Sequence, residues 1–257
     1  MDFHSDRVKY MYSGRNVHLQ WVRAVREWLC VDGLQVVDLG CGGGLYDEAW
    51  IAAGARSVVG VDASAVMIEA AREAYGTRSD ISFAVADARA TGLEGNAYDV
   101  VFSRAVIHHM QLREVTELLR EAYRLLRSGG SVLVQDRTVE DVLLPGAPDH
   151  IRGYFFEMYP RLRDVEVRRR HAVSEVSTAF AEAGLCRVSV ERMWETRSEY
   201  SDFQGLERDL LARAGRSILH ELSDAELRAL VANIRKKLRC RPIVDRDRWT
   251  VWRAIKP

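Results

Sequence analysis

A basic excess, clustered cysteines and long hydrophobic runs are all missing from this sequence of 257 residues. Lys and Arg together number 37, as do Asp and Glu, so the formal net charge at pH 7 is zero. A protein that grips long nucleic acid usually carries a basic excess, because the phosphates must be neutralised. We therefore expect no nucleic-acid partner. The hydrophobic fraction of 47% and the charged fraction of 29% are those of an ordinary globular protein.

The cysteines are few and far apart, at Cys30, Cys41, Cys186 and Cys240, and they form no CxxC pair. This spacing supports neither a disulfide framework nor a zinc site, so we expect free thiols and no metal. The N-terminal residues are polar and partly acidic, unlike those of a signal peptide. No apolar stretch approaches the roughly 20 residues that span a bilayer. Together these absences predict a cytoplasmic protein that does not associate with membranes.

Short apolar runs alternate with helical patterns in the first half of the chain, which is typical of βαβ units. The pattern predicts strands over residues 35–39, 57–62, 81–86, 98–103 and 131–135. It predicts helices over residues 17–29, 45–53, 65–75 and 111–126. Repeated returns from strand to helix and back indicate one parallel sheet with right-handed crossovers.

The second half is less regular. The pattern predicts a helix over residues 173–183, a strand over 186–194, a helical stretch over 200–239 and a last strand over 249–255. No linker separates two autonomous parts, so we predict a single domain over 1–257. Its core takes about residues 17–137, 173–195 and 246–257, its cap is made of inserts at about 138–172 and 196–245, and residues 1–16 form an N-terminal lid.

A glycine-rich turn follows the first predicted strand, with the sequence Asp38-Leu39-Gly40-Cys41-Gly42-Gly43-Gly44. Such a turn between a strand and a helix lets backbone N–H groups and the helix N-terminus approach a ligand closely. A dinucleotide site requires the pattern GxGxxG, because the third glycine packs the helix on the strand. Leu45 stands at that third position. The departure speaks against an NAD(P)-dependent oxidoreductase.

Acidic residues follow the second and third predicted strands. Asp62 lies 20 residues after Gly42, where a carboxylate can accept both ribose hydroxyls of an adenosine. Asp87 can accept from an adenine amino group while the N–H of Ala88 donates to a ring nitrogen. The carboxyl ends of parallel strands meet at one edge of a sheet, where open α/β sheets bind ligands. For either acid alone, the alternative is a helix-capping or turn residue.

In this order, the motifs resemble those of class I S-adenosylmethionine-dependent methyltransferases, in the small-molecule branch that includes ubiquinone and menaquinone biosynthesis methyltransferases. The matching segments are residues 36–44, 59–64, 86–88, 98–103 with the pair His108-His109, and 126–130, and residues 252–257 resemble the closing strand of that family. The motif set is specific for the cofactor and says little about the acceptor.

The resemblance implies an α/β, Rossmann-like fold. Its seven-stranded, mostly parallel sheet has an antiparallel last strand and helices on both faces, and the inserts add a largely helical cap. The implied cofactor is S-adenosyl-L-methionine, with S-adenosyl-L-homocysteine as product. The implied cofactor-binding residues are Tyr10, Arg15, Asp38, Gly40, Cys41, Gly42, Asp62, Ala63, Met67, Asp87, Ala88 and Ser103. Ser103 would lie beside the methionine amino group. Met67 would pack against adenine or belong to the core of its helix.

The chemistry requires alignment of the nucleophile and, for a hydroxyl or amine, removal of a proton. His108 and His109 follow the fourth predicted strand, and histidine suits base catalysis because its unperturbed pKa is about 6.5. The alternative is that these histidines position the loop and the next helix. Candidate acceptor contacts are Tyr12, Arg104, Tyr154, Phe155 and Tyr159.

Two of these acceptor contacts have clear alternatives. Arg104 could meet an anionic acceptor or form a structural salt bridge, and the cluster that includes Phe156 cannot turn all its rings to one side of a helix.

The predicted function is methyl transfer from S-adenosylmethionine to an O, N or C atom of a small-molecule acceptor, by a monomer or homodimer. The alternatives are a methyltransferase acting on RNA or protein, and a non-catalytic S-adenosylmethionine-binding protein.

Overall fold

A computed structural model describes residues 19–213, 215–238 and 242–257 of the chain. The strands within these ranges are β1 (Gln35–Leu39), β2 (Ser57–Asp62), β3 (Ile81–Val85), β4 (Tyr98–Arg104), β5 (Leu126–Asp136), β6 (Cys186–Tyr200) and β7 (Ile243–Ile255). They form one seven-stranded sheet in the order β3-β2-β1-β4-β5-β7-β6. The pairs from β3 through β5 are parallel, whereas β7 runs antiparallel to β5. This arrangement confirms the predicted sheet.

Helices join or flank these strands. They are α1 (Leu19–Trp28), α2 (Leu45–Ala52), α3 (Ala65–Tyr75), α4 (Leu112–Leu125), α5 (Val139–Val142), α6 (Ile151–Met158), α7 (Pro160–Val167), α8 (Val173–Glu182), α9 (Phe203–Leu211) and α10 (Asp224–Lys237). Short 3-10 turns cover Ile107–His109 and Ser217–Glu221. Among the helices of the described residues, none combines the length and the apolar composition that a bilayer crossing requires.

Apolar layers cover both faces of the central strands, because successive side chains of a strand point to opposite sides. Val37 and Leu39 of β1 lie in a core that includes buried residues of α4 and α8. Val36 lies in a second core with Trp21 of α1 and Trp50 of α2. The near-continuous apolar sequence of these strands follows from burial on both sides. Helices on both faces of the sheet are thereby confirmed.

Helix α4 shows how the sequence sets one of these layers. It buries residues at helical spacing, namely Val115, Leu118, Leu119, Ala122 and Leu125. Its start is fixed by a cap in which the N–H of Gln111 donates to the Glu114 carboxylate at 2.8 Å. Such a cap satisfies backbone donors that would otherwise lack partners in the first turn. The apolar stripe therefore faces the sheet from a defined starting point.

The described chain divides into two compact units. The first, here called the sheet unit, comprises the described residues up to 136 together with 171–193 and 250–257. The second, here called the insert unit, comprises residues 137–170 and the described residues within 194–249. The insert unit has an apolar core of its own, which includes Phe155, Leu206, Leu230 and Ile234. The assignment of residues 1–257 to a single domain stays a prediction.

The structure corrects the sequence-based elements of the second half. The predicted helical stretch over 200–239 is wrong in its continuity, because Ser223 caps a new helix: its hydroxyl accepts from the N–H of Glu226 at 3.3 Å. Within the segment 138–172, which was expected to belong to a largely helical cap, the structure has α5, α6 and α7. Pro160 stands in the first turn of α7, where the missing N–H is tolerated.

The last strands are also longer than predicted. β6 continues to Tyr200 and β7 begins at Ile243, whereas the pattern placed these limits at 194 and 249. The alternating charges of β7 hide its first half. Asp245 and Asp247 are buried and form ion pairs at 2.6 Å with Arg216 and Arg137 respectively. A strand in which buried carboxylates are paired shows no apolar alternation, so period-based prediction misses it.

Candidate cofactor-binding and catalytic site

The glycine loop between β1 and α2 requires its glycines for two reasons. Gly40, Gly42 and Gly44 have φ values of 82°, 54° and 82°, which favour glycine because a Cβ is strained there. A Cβ on Gly40 would also lie 2.3 Å from Cγ2 of Val106. The loop after β1 therefore packs tightly against the turn that follows β4.

Asp62, at the end of β2, holds the glycine loop. Its Oδ2 accepts a hydrogen bond from the N–H of Gly42 at 3.0 Å, and its Oδ1 accepts from the N–H of Ser64 at 2.8 Å. Ala63, between Asp62 and Ser64 in the chain, is exposed. A carboxylate offers about four acceptor positions, so two remain for the hydroxyls of a ribose. Asp62 thus combines loop positioning with capacity for the predicted ligand contact.

Asp38, at the carboxyl end of β1, is a buried carboxyl group with 2% exposure. Burial and the nearby charge of Asp62 raise the pKa of Asp38 to about 8, while Arg104 acts in the opposite direction. Among the described residues, Oδ1 of Asp38 has no hydrogen-bond partner. A positively charged ligand group beside it would favour the ionised carboxylate. This buried acceptor fits a cofactor that carries an ammonium and a sulfonium group.

Two more titratable side chains are buried here, Cys41 within the glycine loop and Asp47 in the first turn of α2. Burial raises the pKa of the Cys41 thiol, which makes Cys41 a poor nucleophile. Burial and then Asp38 raise the pKa of Asp47, which sequence analysis did not select. A Cβ on Gly60 would lie 2.9 Å from both the Asp47 carboxyl and the Cys41 sulfur. The only sequence signal for Asp47 is an acid in the first turn of α2.

Met67 packs against the loop from α3. Its side chain is buried, with 5% exposure, and its Cε would lie 3.3 Å from a Cβ on Gly42. Met67 is therefore both a helix core residue and a neighbour of the cofactor loop, and its contact with adenine stays a prediction. Ser64 starts this helix, since its hydroxyl accepts from the N–H of Met67 at 3.3 Å.

Asp87 forms an ion pair that the sequence did not predict. Its Oδ2 accepts from the Arg89 guanidinium at 2.7 Å, and Arg89 also donates to Glu114 at 2.6 Å. The Arg89 hydrogen bonds lower the pKa of Asp87 below its ordinary value. Ala88 is buried in the core of the sheet unit. Asp87 is an ionised, partly exposed acceptor, and its contact with adenine stays a prediction.

Ser103 and Arg104 end β4 beside the glycine loop. The Ser103 hydroxyl donates to the Leu39 carbonyl at 2.8 Å and is buried, so it ties the ends of β4 and β1 together. The Arg104 guanidinium lies 4.2 Å from the centre of the Tyr46 ring. A stacked guanidinium keeps its charge, and that charge acts on Asp38. Arg104 therefore supplies a positive charge beside Asp38, at the edge of the sheet where β1 and β4 end.

His108 lies in the 3-10 turn after β4 and pairs with Asp136 at the end of β5. Nδ1 of His108 is 2.9 Å from Oδ2 of Asp136, and the backbone N–H of His108 donates to the same oxygen at 3.2 Å. The rings of His108 and His109 are 3.9 Å apart between centroids. Sequence analysis missed Asp136, although its position after an apolar strand is the signal that selected Asp62.

The aromatic residues proposed for acceptor binding lie in the insert unit. Tyr154 and Phe155 of α6 are buried in its apolar core. The hydroxyl of Tyr159 donates to the Glu226 carbonyl at 3.1 Å. These packing roles account for all three side chains, and their contact with an acceptor stays a prediction.

Three candidate residues, Tyr10, Tyr12 and Arg15, lie outside the described residues. Within the described ranges, no group of His, Cys, Asp and Glu side chains is arranged to hold a metal ion. The described cofactor-binding candidates and the two histidines follow the carboxyl ends of β1, β2, β3 and β4, whereas Tyr154, Phe155 and Tyr159 lie in the insert unit.

Comparison with known proteins identifies a family domain within the chain. Residues 37–134 match the family model described as a methyltransferase domain. The residues in that range are a class I S-adenosylmethionine-dependent methyltransferase domain. The range contains the glycine loop, Asp62, Asp87 and His108. The family and the cofactor class inferred from the motifs are thereby confirmed.

Curated relatives extend the likeness beyond this range. The chain is 33% identical over 128 residues to ubiquinone biosynthesis O-methyltransferase of Chelativorans sp., which covers 49% of each protein. It is 27% identical over 226 residues to phosphoethanolamine N-methyltransferase 1 of Arabidopsis thaliana, which covers 87% of this chain and 42% of that protein. The chain thus spans less than half the length of these relatives.

Solved structures show the same fold at low identity. Phosphoethanolamine N-methyltransferase 2 of Haemonchus contortus, in complex with S-adenosylhomocysteine, aligns with a TM-score of 0.62 at 21% identity. The alignment covers all of this chain and 60% of that one. The cyclase SpnF aligns with a TM-score of 0.56 at 20% identity, over 93% of this chain and 81% of that one. Since a cyclase shares the architecture, function must be argued from the site.

Proposed function

We propose that this chain transfers a methyl group from S-adenosylmethionine to an O, N or C atom of a small-molecule acceptor. The observation that carries the proposal is the meeting of three strand ends around the glycine loop. Asp62 accepts from the N–H of Gly42 at 3.0 Å, Ser103 donates to the Leu39 carbonyl at 2.8 Å, and Asp38 keeps a buried oxygen without a partner among the described residues.

The residues at this edge suit the cofactor in shape and charge. Gly40 and Gly42 leave the loop backbone open to close approach, because neither carries a Cβ. The acceptor positions that remain on Asp62 can take ribose hydroxyls, and Asp38 can take a cationic group. S-Adenosylmethionine, when bound, supplies a methyl group on a positively charged sulfur. The side chains at the sheet edge bind and orient it, which is the largest part of the task in an in-line displacement.

A small acceptor is favoured by the charge of the chain and by its relatives. The formal net charge is zero, which offers no field for a long polyanion. The relatives named above are a ubiquinone biosynthesis O-methyltransferase and a phosphoethanolamine N-methyltransferase, and both names refer to small molecules. We also propose, from the spacing of the thiols and from composition, that the chain acts in the cytoplasm as a monomer or homodimer.

The test begins with calorimetry of S-adenosylhomocysteine and of NADH. We expect a dissociation constant of about 1 µM or below for the first ligand, equivalent to roughly −8 kcal/mol, and no heat of binding for the second. Asp62→Ala is expected to weaken binding, whereas Asp80→Ala serves as the control, since Asp80 is a partly exposed residue that pairs with Arg78 at 2.8 Å.

Methyl transfer is then followed with radiolabelled S-adenosylmethionine. The acceptor probes are phosphoethanolamine, which offers an amine, and 3,4-dihydroxybenzoate, which offers hydroxyl groups. Label in either product supports the proposed function. Absence of S-adenosylhomocysteine binding, or a response to NADH in its place, would contradict it.

A further inference from the structure

Asp87 follows the carboxyl end of β3, and most of its acceptor capacity is used by one residue, Arg89. Oδ1 of Asp87 accepts from the backbone N–H of Arg89 at 2.9 Å and from its Nε at 3.0 Å. Oδ2 accepts from Nη2 of Arg89 at 2.7 Å, and Nε lies 3.2 Å from the same oxygen. The backbone and the guanidinium of Arg89 therefore hold both oxygens of the carboxylate.

This pairing leaves Asp87 with one acceptor position of defined direction. An ionised carboxylate has about four acceptor positions. Arg89 takes two of them on Oδ1 and one on Oδ2, so the position that remains is on Oδ2. A bidentate guanidinium also fixes the plane of the carboxylate. The Asp87 side chain is 46% exposed, so a ligand can approach it.

Arg89 is held by helix α4 as well as by Asp87. Its Nη1 donates to Oε1 of Glu114 at 2.6 Å, and Oε2 of Glu114 accepts from the N–H of Gln111 at 2.8 Å where α4 begins. Glu117, about one turn further along α4, lies 3.6 Å from the same Nη1. A movement of the guanidinium that releases Asp87 also displaces Nη1 from Glu114. The orientation of Arg89 is therefore restrained from two sides.

The loop after β3 has a second attachment to α4. The N–H and hydroxyl groups of Thr91 donate to Oε1 of Glu121 at 2.9 and 2.5 Å, and Glu121 is buried. Arg124 donates to the carbonyl of Leu93 at 2.8 Å. Carboxylates in two turns of α4 thus fix this loop, so the fold sets the direction in which the loop presents its acidic residue.

We propose that Arg89 is a positioning residue that makes this end of the cofactor site specific for a purine with a 6-amino group. The inference rests on the proposed function and on the expected approach of adenine to Asp87. One N–H of the amino group donates to the acceptor position that Arg89 leaves on Oδ2. Arg89 itself acts through Asp87 and needs no contact with the base.

A 6-oxo purine reverses the pattern of donors and acceptors. It presents a carbonyl oxygen to Asp87, so that two acceptors face each other. It also carries a proton on the ring nitrogen to which the N–H of Ala88 is expected to donate. Unpaired or mismatched polar groups in a binding site are the usual source of such discrimination. The fixed carboxylate therefore selects against the 6-oxo base.

A second pair of the same kind, before the start of β3, supplies a matched control. Arg78 donates through Nε and Nη2 to the two oxygens of Asp80 at 2.9 and 2.8 Å, and these residues are also two positions apart. The variants are Arg89→Met, Arg89→Lys and Asp87→Asn, with Arg78→Met as the control. Methionine removes both the charge and the planar fork, whereas lysine keeps the charge and loses the fork.

The readout is calorimetric binding of two ligands, S-adenosylhomocysteine and S-inosylhomocysteine, which differ only in the group at position 6 of the purine. We expect the unaltered protein to bind the first at least about 10-fold more tightly, because hydrogen bonds to charged groups are the stronger ones. In Asp87→Asn the ratio should fall to about three or below, since an amide can donate to a 6-oxo group as well as accept from a 6-amino group.

Arg89→Met should weaken the binding of S-adenosylhomocysteine about 5-fold or more, because a carboxylate that rotates freely must be ordered when the ligand binds. The affinity for S-inosylhomocysteine should stay within about two-fold, so the ratio of the two affinities falls. Arg89→Lys should resemble Arg89→Met within about two-fold, since an ammonium group lacks the planar fork. Arg78→Met should leave both affinities within about two-fold.

Several outcomes overturn the inference while the proposed function stands. An unchanged or higher affinity of Arg89→Met for S-adenosylhomocysteine means that Arg89 does not position Asp87 for the ligand. An equal loss for both ligands means that the loop is disrupted in general, and full recovery in Arg89→Lys means that charge alone is needed. Equal binding of the two ligands by the unaltered protein, or an unchanged ratio in Asp87→Asn, overturns it as well. Failure of the unaltered protein to bind S-adenosylhomocysteine contradicts the proposed function itself.

Discussion

Asp62 on β2 accepts a hydrogen bond from the backbone N–H of Gly42, 3.0 Å away in the loop after β1. Its second oxygen accepts from the N–H of Ser64 at 2.8 Å. Asp62→Asn supplies one acceptor oxygen for these two donors, and its NH₂ group must face the other donor. We expect an S-adenosylhomocysteine affinity at least about 5-fold lower, because a partly buried donor that loses its partner costs about 1–3 kcal/mol. Calorimetry measures this change.

The control for Asp62 is Asp80→Asn. Asp80 forms a surface ion pair with Arg78, and exposed pairs contribute about 0–1 kcal/mol to stability. The melting temperature of Asp62→Asn should drop clearly and that of Asp80→Asn should change little. Equal affinities in Asp62→Asn and the unaltered protein would show that the loop keeps its conformation without this hydrogen bond.

A second prediction separates backbone strain from close packing at Gly40. Gly40 and Gly33 have nearly the same φ, 82° and 81°. A Cβ on Gly40 would lie 2.3 Å from Val106, whereas a Cβ on Gly33 would meet nothing within 4 Å. Both alanine variants carry a conformational strain of about 1–2 kcal/mol. Gly40→Ala alone adds an overpacking term of about 1–3 kcal/mol.

Urea unfolding of the two variants measures the difference in free energy. Val106→Ala in the Gly40→Ala background should recover part of the stability, because it removes the methyl group that the new Cβ meets. Equal destabilisation in Gly40→Ala and Gly33→Ala would mean that the turn after β4 yields freely. Contact with Val106 would then contribute little to the conformation of the loop.

Local pattern predicts the first half of the fold well. β1, β2 and α3 have the predicted bounds, because each element buries residues at its own period and ends at a polar or glycine residue. The break between α9 and α10 escapes this reasoning, although Ser223 and Glu226 form a recognisable cap. The first half of β7 escapes for a different reason, since its buried aspartates are stabilised by distant arginines.

The candidate site likewise contains residues that the sequence can place and contacts that it cannot predict. Asp38, Gly40, Gly42 and Asp62 stand at strand ends that sequence alone can place. The ion pair of Asp87 with Arg89 depends on the side-chain conformations of both residues. Neither the hydrophobic periodicity nor the sequence motif predicts these conformations. Asp136 and His108 meet because β4 and β5 are neighbours, which becomes known only with the strand order. Their roles in binding and catalysis stay predictions.

A third prediction concerns the release of a proton from Asp38 when the ligand binds. Burial, and then Asp62, raise the pKa of Asp38 to about 8, so the group is mainly protonated at pH 7. A cationic ligand group beside it lowers this pKa, and binding then releases a proton. We expect the calorimetric enthalpy of S-adenosylhomocysteine binding at pH 7 to differ between phosphate and Tris. The slope against buffer ionisation enthalpy should correspond to release of up to about one proton.

Two controls identify the source of that proton. Asp38→Asn should abolish the buffer dependence, since an amide does not titrate. Adenosine, which lacks the amino-acid part of the ligand, should bind without proton release in the unaltered protein. Equal slopes for adenosine and S-adenosylhomocysteine would show that the ammonium group does not act on Asp38.

A fourth prediction concerns the stability of the insert unit. Glu166 of α7 is buried between Arg152 and Arg170, at 2.9 and 2.5 Å. Burial raises the pKa of Glu166, but the two arginines outweigh that effect and hold the pKa well below its ordinary value. Glu166→Gln leaves two buried cations without this carboxylate, which should lower the free energy of unfolding at pH 7 by about 3–5 kcal/mol.

The stabilisation by Glu166 should decrease as the pH falls. Because the pKa is depressed in the folded state, the stabilisation by Glu166 is complete above its unfolded pKa of about 4.5 and is lost as the pH falls below it. The difference between Glu166→Gln and the unaltered protein should therefore be largest at pH 7 and smaller at pH 3.5 in urea unfolding. Glu207→Gln is the control, since Glu207 forms a surface pair with Arg235 and should change stability by no more than about 1 kcal/mol. A pH-independent difference for Glu166→Gln would mean that lost packing, and not lost charge, explains the effect.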